Sequence, residues 1–282
     1  MTRVSTRSLV DEAVAAGSAV LAFNVITLEH AEAIVAGLDR AGRGGILQLS
    51  ERAIAYHGHL RPVAAACSEL AAAAGVPVSV HLDHVQDAAL ARRGTKDGPE
   101  VGISSIMVDA AHLSAEANVS TTAELAALAH AAGLWVEAEL GEIGGKDGAH
   151  APGVRTDPDE ARSFVAATGV DGLAVAVGST HAMTAATASL DLDLIERLAA
   201  AVPVPLVLHG SSGVPSQVLR EAVARGMRKI NVGTALNVAL TTKVREQLAA
   251  SDSLTDPRRY LGAGRDAMAE TVARLCAEVL DA

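Results

Sequence analysis

His84, His181 and His209 lie far apart along the chain, yet each follows a short β-branched run. Asp83 stands beside His84, Asp109 closes another such run, and Glu137-Ala138-Glu139 lies inside a fifth. Three neutral imidazoles that leave a fourth position open form a catalytic zinc site without any cysteine. Asp83 either exchanges a proton with a substrate held at a metal-bound oxygen or only orients His84. Asp109 and Glu139 either hold a second or displaced cation, divalent or monovalent, or form hydrogen bonds within the same mouth. His81 points opposite to Leu82, and either steadies a ligand or packs in the core. The other six histidines (His30, His57, His59, His112, His130 and His150) lack such placement and are expected in loops or on the surface.

Two further segments have the makings of anion cradles. His209-Gly210-Ser211-Ser212-Gly213 is a turn of small residues, and Asn231-Val232-Gly233-Thr234 leads into a helical pattern. Free backbone N–H groups, hydroxyls and a helix N-terminus bind phosphate without Lys or Arg. Between them and the acids, the stretch Gly141–Val154 carries five glycines and no apolar periodicity. It is expected to form a lid able to bring Lys146 or Asp147 to a substrate.

These side chains need a scaffold that gathers strand ends. Eight β-branched runs begin at Val20, Gly45, Val78, Ser105, Leu134, Gly172, Pro205 and Lys229, spaced by alanine-rich helical patterns. Near-continuous apolar strands alternating with helices indicate a parallel sheet covered by helices. Eight such units in 282 residues predict an α/β fold, a (β/α)8 TIM barrel, as one domain over residues 1–282. In such a barrel the C-terminal ends of all strands meet on one face, where the histidines fall. Asn118 to Glu124 is expected to cap a helix over Leu125–Ala132 that Gly133 stops, and Thr156-Asp157-Pro158 to open another. Met268, Val272, Leu275 and Val279 share one face of a C-terminal helix expected over residues 257–280.

Composition narrows the function. Hydrophobic residues make up 50% and charged ones 20%, which excludes a disordered chain. A net charge of −10 repels phosphate backbones and anionic lipid, so neither nucleic acid nor a membrane is the expected partner. Asp11 and Glu12 interrupt any export signal, and Cys67 and Cys276 form no disulfide framework, so a cytoplasmic protein is expected.

Taken together, His-Leu-Asp-His at 81–84, Val-Glu-Ala-Glu-Leu-Gly at 136–141, Gly-Ser-Thr-His at 178–181, His-Gly-Ser-Ser-Gly at 209–213 and Lys-Ile-Asn-Val-Gly-Thr at 229–234 resemble the class II, metal-dependent ketose-bisphosphate aldolases. Phe23-Asn24-Val25 and Gln48-Leu49-Ser50 add to the match, which runs from Phe23 to Arg265. The resemblance implies a dimeric or tetrameric enzyme of carbohydrate metabolism, with Zn2+ on His84, His181 and His209 and with Asp83 as the catalytic acid–base. It implies cleavage of a fructose or tagatose bisphosphate or related ketose. The dihydroxyacetone phosphate produced would rest on Asn24, Ser50, Ala182, Gly210, Ser211, Ser212, Asn231, Gly233 and Thr234.

Departures from the family pattern bear on the substrate. Ala182 and Thr184 replace a glycine and a tyrosine, and Ala110-Ala111 replaces Gly-Ser. Asp147 stands where the lid carries a catalytic glutamate, and Gly233 where fructose types carry aspartate. Asn237 replaces an Arg or Lys near the distal phosphate, unless Arg258 or Arg259 supplies that charge. These changes raise two alternatives: an aldolase for a non-phosphorylated or unusual aldehyde, and a non-catalytic sugar-phosphate-binding paralogue. A zinc hydrolase is disfavoured because the first run ends in Phe23-Asn24 rather than His-x-His.

Overall fold

A computed structural model of the chain describes residues 2–140, 155–179 and 189–281. Eight parallel strands close into one barrel in chain order, β1 pairing with both β2 and β8. They are β1 (Val20–Asn24), β2 (Gly45–Ser50), β3 (Val78–Val85), β4 (Ile103–Val108), β5 (Trp135–Glu139), β6 (Gly172–Ala174), β7 (Leu206–Leu208) and β8 (Met227–Val232). The fold is a single-domain TIM barrel.

The helices run α1 (Thr6–Ala15), α2 (Leu28–Ala41), α3 (Glu51–His57), α4 (Leu60–Ala73), α5 (Ala88–Asp97) and α6 (Ala115–Ala131). They continue with α7 (Pro158–Thr168), α8 (Leu192–Ala201), α9 (Ser216–Ala224), α10 (Thr234–Ala249) and α11 (Pro257–Leu280). α7 opens as its sequence suggests, with Asp157 capping and Pro158 in the first turn. α6 does not: it starts at Ala115 rather than Leu125, capped by Ser114, and Asn118 is buried inside it. The Asn118 amide serves the site instead, donating to the Glu139 carbonyl at 3.2 Å. β6 is also shorter than expected, although Val175–Val177 remain buried beyond it.

Strand alternation sorts each strand into an outward set and an inward set. Leu82 and Ile106 belong to the larger cluster beneath the helices. Val20, Ala22, Ile46, Met107, Trp135, Ala174 and Val207 fill the barrel's lower interior. Gly172 makes room for Trp135, whose ring would lie 2.5 Å from a Cβ added there. α1 closes the lower end, an arrangement the sequence reading did not include. Its Leu9 and Val10 join that inner cluster, and Thr6 Oγ1 is hydrogen-bonded to Ser105 Oγ at 2.6 Å and Ser79 Oγ at 2.9 Å.

α11 packs along α2, tied by Arg265 to Glu32 at 2.8 Å. At this crossing a Cβ on Gly37 would lie 2.6 Å from both the Ala269 carbonyl oxygen and Val272 Cβ. Replacing a helical Gly by Ala normally gains about 1 kcal/mol, but overpacking against fixed backbone costs about 1–3 kcal/mol. Because neither contact is the far end of a flexible side chain, overpacking should win. Gly37→Ala should therefore lower the denaturant midpoint at unchanged slope. A higher midpoint would show that the two helices part without cost.

Candidate active site

The upper interior of the barrel is polar. Asp83, Asp109, Glu137, Glu139, His81, His209, Lys229 and Asn231 are all buried there. Most arrive by simple alternation: His81 and Asp83 on β3, Glu137 and Glu139 on β5, Lys229 and Asn231 on β8. His84 does not, because strict alternation would turn it away from Asp83. Between Leu82 and Val85 the pairing of β3 with β4 shifts register, leaving one extra residue on β3. At that bulge His84 adopts φ +50°, the only positive φ at a non-glycine among the described residues. The imidazole is thereby re-aimed into the mouth.

As a result, one ligand atom each of Asp83, His84 and His209 lies within 4.8 Å of the others. The two rings meet edge to face, with centroids 4.5 Å apart. Two imidazole nitrogens with a carboxylate beside them suit a divalent ion such as zinc. Glu139 Oε2 is 3.9 Å from His209 Nδ1. Asp109 Oδ2 accepts from His84 Nδ1 at 3.3 Å and from Gln86 Nε2 at 2.9 Å. His181 and Ala182 lie outside the described residues, as do Asp147, Thr184, His150 and the expected lid Gly141–Val154.

The structure also places the candidate phosphate residues. Thr234 opens α10, with Gly233 before it. Ser212 Oγ accepts from the Ala235 N–H at 3.3 Å, linking the turn after β7 to that helix start. Ser211 Oγ donates to the Asn231 carbonyl at 2.5 Å, and Gly210 precedes it at the head of a short 3-10 turn. Asn24 Oδ1 accepts from Gln48 Nε2 at 2.5 Å. Ser50 caps α3 through the Ala53 N–H.

The sequence matches the profile of the family described as fructose-bisphosphate aldolase class-II over residues 4–282. The chain belongs to this family. It is therefore a class II aldolase, a metal-dependent aldehyde-lyase. It is 37% identical over 276 residues to the fructose-bisphosphate aldolase of Geobacillus stearothermophilus, covering 96% of this chain and 95% of that one. A probable fructose-bisphosphate aldolase of Bacillus subtilis is 38% identical over the same length, with the same coverage. Among solved structures, the YdjI aldolase from Escherichia coli K12 has a TM-score of 0.85 at 27% identity, covering 98% of this chain and 97% of its own. A putative fructose-1,6-biphosphate aldolase from Coccidioides immitis has a TM-score of 0.86 at 32% identity, covering 97% and 95%.

Among the described residues one histidine differs from the sequence expectation. His30 is buried, not on the surface. It sits in the first turn of α2, forms a capping box with Thr27, and its Nε2 is 3.2 Å from Asn237 Oδ1. Burial holds its pKa down, despite Asn237 and Glu29. His81 is buried with Nδ1 on Ser105 Oγ at 2.8 Å, and burial, with Lys229 adding, keeps it well below its ordinary pKa. His130 bridges to Asp171 at 2.8 Å, well away from the mouth on the evidence of Asp171's bond to the Val136 N–H near the start of β5. The residue missed altogether was Lys229. Its signal was parity, since it alternates with Asn231 on one strand.

Burial pushes the Asp83 carboxyl up, with Glu137 and Asp109 adding and His84 and Lys229 opposing. For His84, burial pulls down, but Asp83, Asp109 and Glu139 outweigh it and raise the imidazole to about 9. Burial pulls Asp109 up, but the bond and charge of His84, with Gln86 and the Ala111 N–H, lower it to about 2. A raised His84 stabilises the fold fully below 6.5, and that contribution vanishes as pH rises through about 9. The depressed Asp109 contributes above 3.8 and fails only as pH falls through about 2. Metal-stripped protein should therefore lose thermal stability from pH 6.5 to about 9, and Asp109→Asn should flatten this loss. Identical Tm–pH slopes for the two proteins would contradict the pairing.

Proposed function

We propose that the chain is a zinc-dependent class II aldolase that reversibly cleaves a phosphorylated ketose to dihydroxyacetone phosphate and an aldehyde. The observation that supports this most is the convergence of Asp83, His84 and His209 from two strands. In this reading His84, His181 and His209 hold the ion, with Asp109 and Glu139 bordering a second cation position. The bound ion supplies Lewis-acid stabilisation of the negative charge that develops when the carbon–carbon bond breaks.

Asp83 takes the proton of the C4 hydroxyl during cleavage and returns it to the aldehyde oxygen during condensation. Two features suit it to this. Its pKa lies above the usual carboxylate value, toward working pH, and Asn231 Nδ2 donates to Oδ1 at 3.2 Å, fixing the carboxyl's direction. Asp147 serves the proton on the dihydroxyacetone phosphate carbon. The phosphate binds at the start of α10, among Gly210, Ser211, Ser212, Asn231, Gly233, Thr234 and the Ala182 N–H, using N–H groups and the helix dipole. Asn24, which lies beside Gly233, and Ser50 border it from the ends of β1 and β2. The enzyme acts in the cytoplasm as a homodimer or homotetramer; among the described residues no helix is long and apolar enough to cross a membrane.

One observation favours an aldehyde partner other than glyceraldehyde 3-phosphate. Asn237 is bonded to a His30 that burial disposes to stay neutral, so this stretch of α10 offers a distal phosphate no positive charge. Arg258 is instead paired with Asp256 at 2.7 Å, which leaves Arg259 as the remaining source of such a charge. A missing charge-assisted hydrogen bond is worth about 1.5–3 kcal/mol, or ~10- to ~100-fold in kcat/KM. Zinc-loaded protein should cleave fructose 1-phosphate about as well as fructose 1,6-bisphosphate, and a chelator should abolish both activities. A preference for the bisphosphate beyond ~100-fold would overturn the substrate assignment. Chelator-resistant cleavage, or none of either sugar, would overturn the reaction.

A further inference from the structure

We propose that Lys229, a fully buried cation that no step above uses, is a positioning residue that sets both the metal-ligand and the acid–base halves of the site. The inference rests on the assignment of His209 to the metal and Asp83 to proton transfer.

Lys229 Nζ is 2.6 Å from Asn231 Oδ1 and 2.9 Å from Glu137 Oε2. Asn231 Nδ2 reaches Asp83 Oδ1 at 3.2 Å, and Glu137 Oε1 is 2.9 Å from His209 Nε2. These contacts form one unbroken chain, Asp83–Asn231–Lys229–Glu137–His209, crossing the barrel interior between strands β3, β8, β5 and the end of β7.

The direction of each bond follows from which groups can only donate. An ammonium has three donors and no acceptor, so Asn231 must turn its oxygen toward Lys229. The amide's NH2 end is then the one that faces Asp83, which fixes the carboxyl rotamer. On the other side Lys229 holds Glu137 by Oε2 and leaves Oε1 to accept from His209. That places the proton of His209 on Nε2 and presents the Nδ1 lone pair, on the Glu139 side, to an ion. A buried lysine is costly unless paired and hydrogen-bonded; here both of its partners lead directly to reacting groups. The arrangement has the form of a device for orientation rather than one for stability.

The test is Lys229→Met, which keeps the stem and removes every donor. Zinc affinity, measured by competition with a chromogenic chelator, should weaken ~10- to ~100-fold. At saturating zinc, kcat on the wild type's best ketose phosphate should fall ~10-fold or more while KM shifts less than ~3-fold. If the single variant does not fold, as judged by circular dichroism, Lys229→Met with Glu137→Gln removes the unpaired buried charge and should show the same two losses. A folded variant with wild-type zinc affinity and wild-type kcat would overturn the proposal. Asp83→Ala in parallel separates the two levels: if it too keeps full activity, the assignment of the site itself has failed.

Discussion

Asp83 and His84 are consecutive in sequence and yet serve one point in space, which a regular strand forbids. Everything at the mouth depends on how β3 resolves this. The extra residue opposite β4 and the left-handed backbone at His84 turn the imidazole inward without disturbing Asp83. A non-glycine residue in that region costs on the order of 1–3 kcal/mol and persists only where its surroundings hold it. Here Asp109 does so: its carboxylate accepts from His84 and is itself held by Gln86 and the Ala111 N–H.

The second constraint is electrostatic. A small barrel interior holds two histidines, four carboxylates and a lysine with almost no contact with water. Such a group of charges survives burial only if each member has a partner. The lower interior needs no such care, because Val20, Ile46, Met107 and Trp135 fill it and α1 seals it. The barrel is thus an apolar plug beneath and a polar cup above, and the cup's walls are the same strands. Strand parity does the sorting: on β4 Met107 lies below Asp109, and on β5 Trp135 lies below Glu137 and Glu139.

That sorting explains how much of the molecule was legible in its sequence. The eight strands were visible as β-branched runs at helical intervals, and placing histidines at strand ends was enough to bring His84 and His209 to one mouth. Other features depend on tertiary context that the sequence does not carry. The bulge at His84 leaves no mark in residue type. His30 sits in an amphipathic helix where a lone histidine has no distinguishing spacing, so its burial beside Asn237 was invisible. Asn118 resembled a cap because its amide suits one, but Ser114 four residues earlier took that place. Lys229 was passed over because a lysine ordinarily marks a surface, although its alternation with Asn231 pointed inward.

In the proposed site three imidazoles from separate strands surround one ion beside the Asp83 carboxyl. Anomalous diffraction from crystals of the zinc-loaded enzyme, collected at the zinc edge, tests this arrangement most directly. It predicts one strong peak bonded to nitrogens of His84, His181 and His209, with Asp83 adjacent to the ion but outside its ligand set. A peak coordinated by other residues, or a His181 ring turned away from the other two, would contradict it.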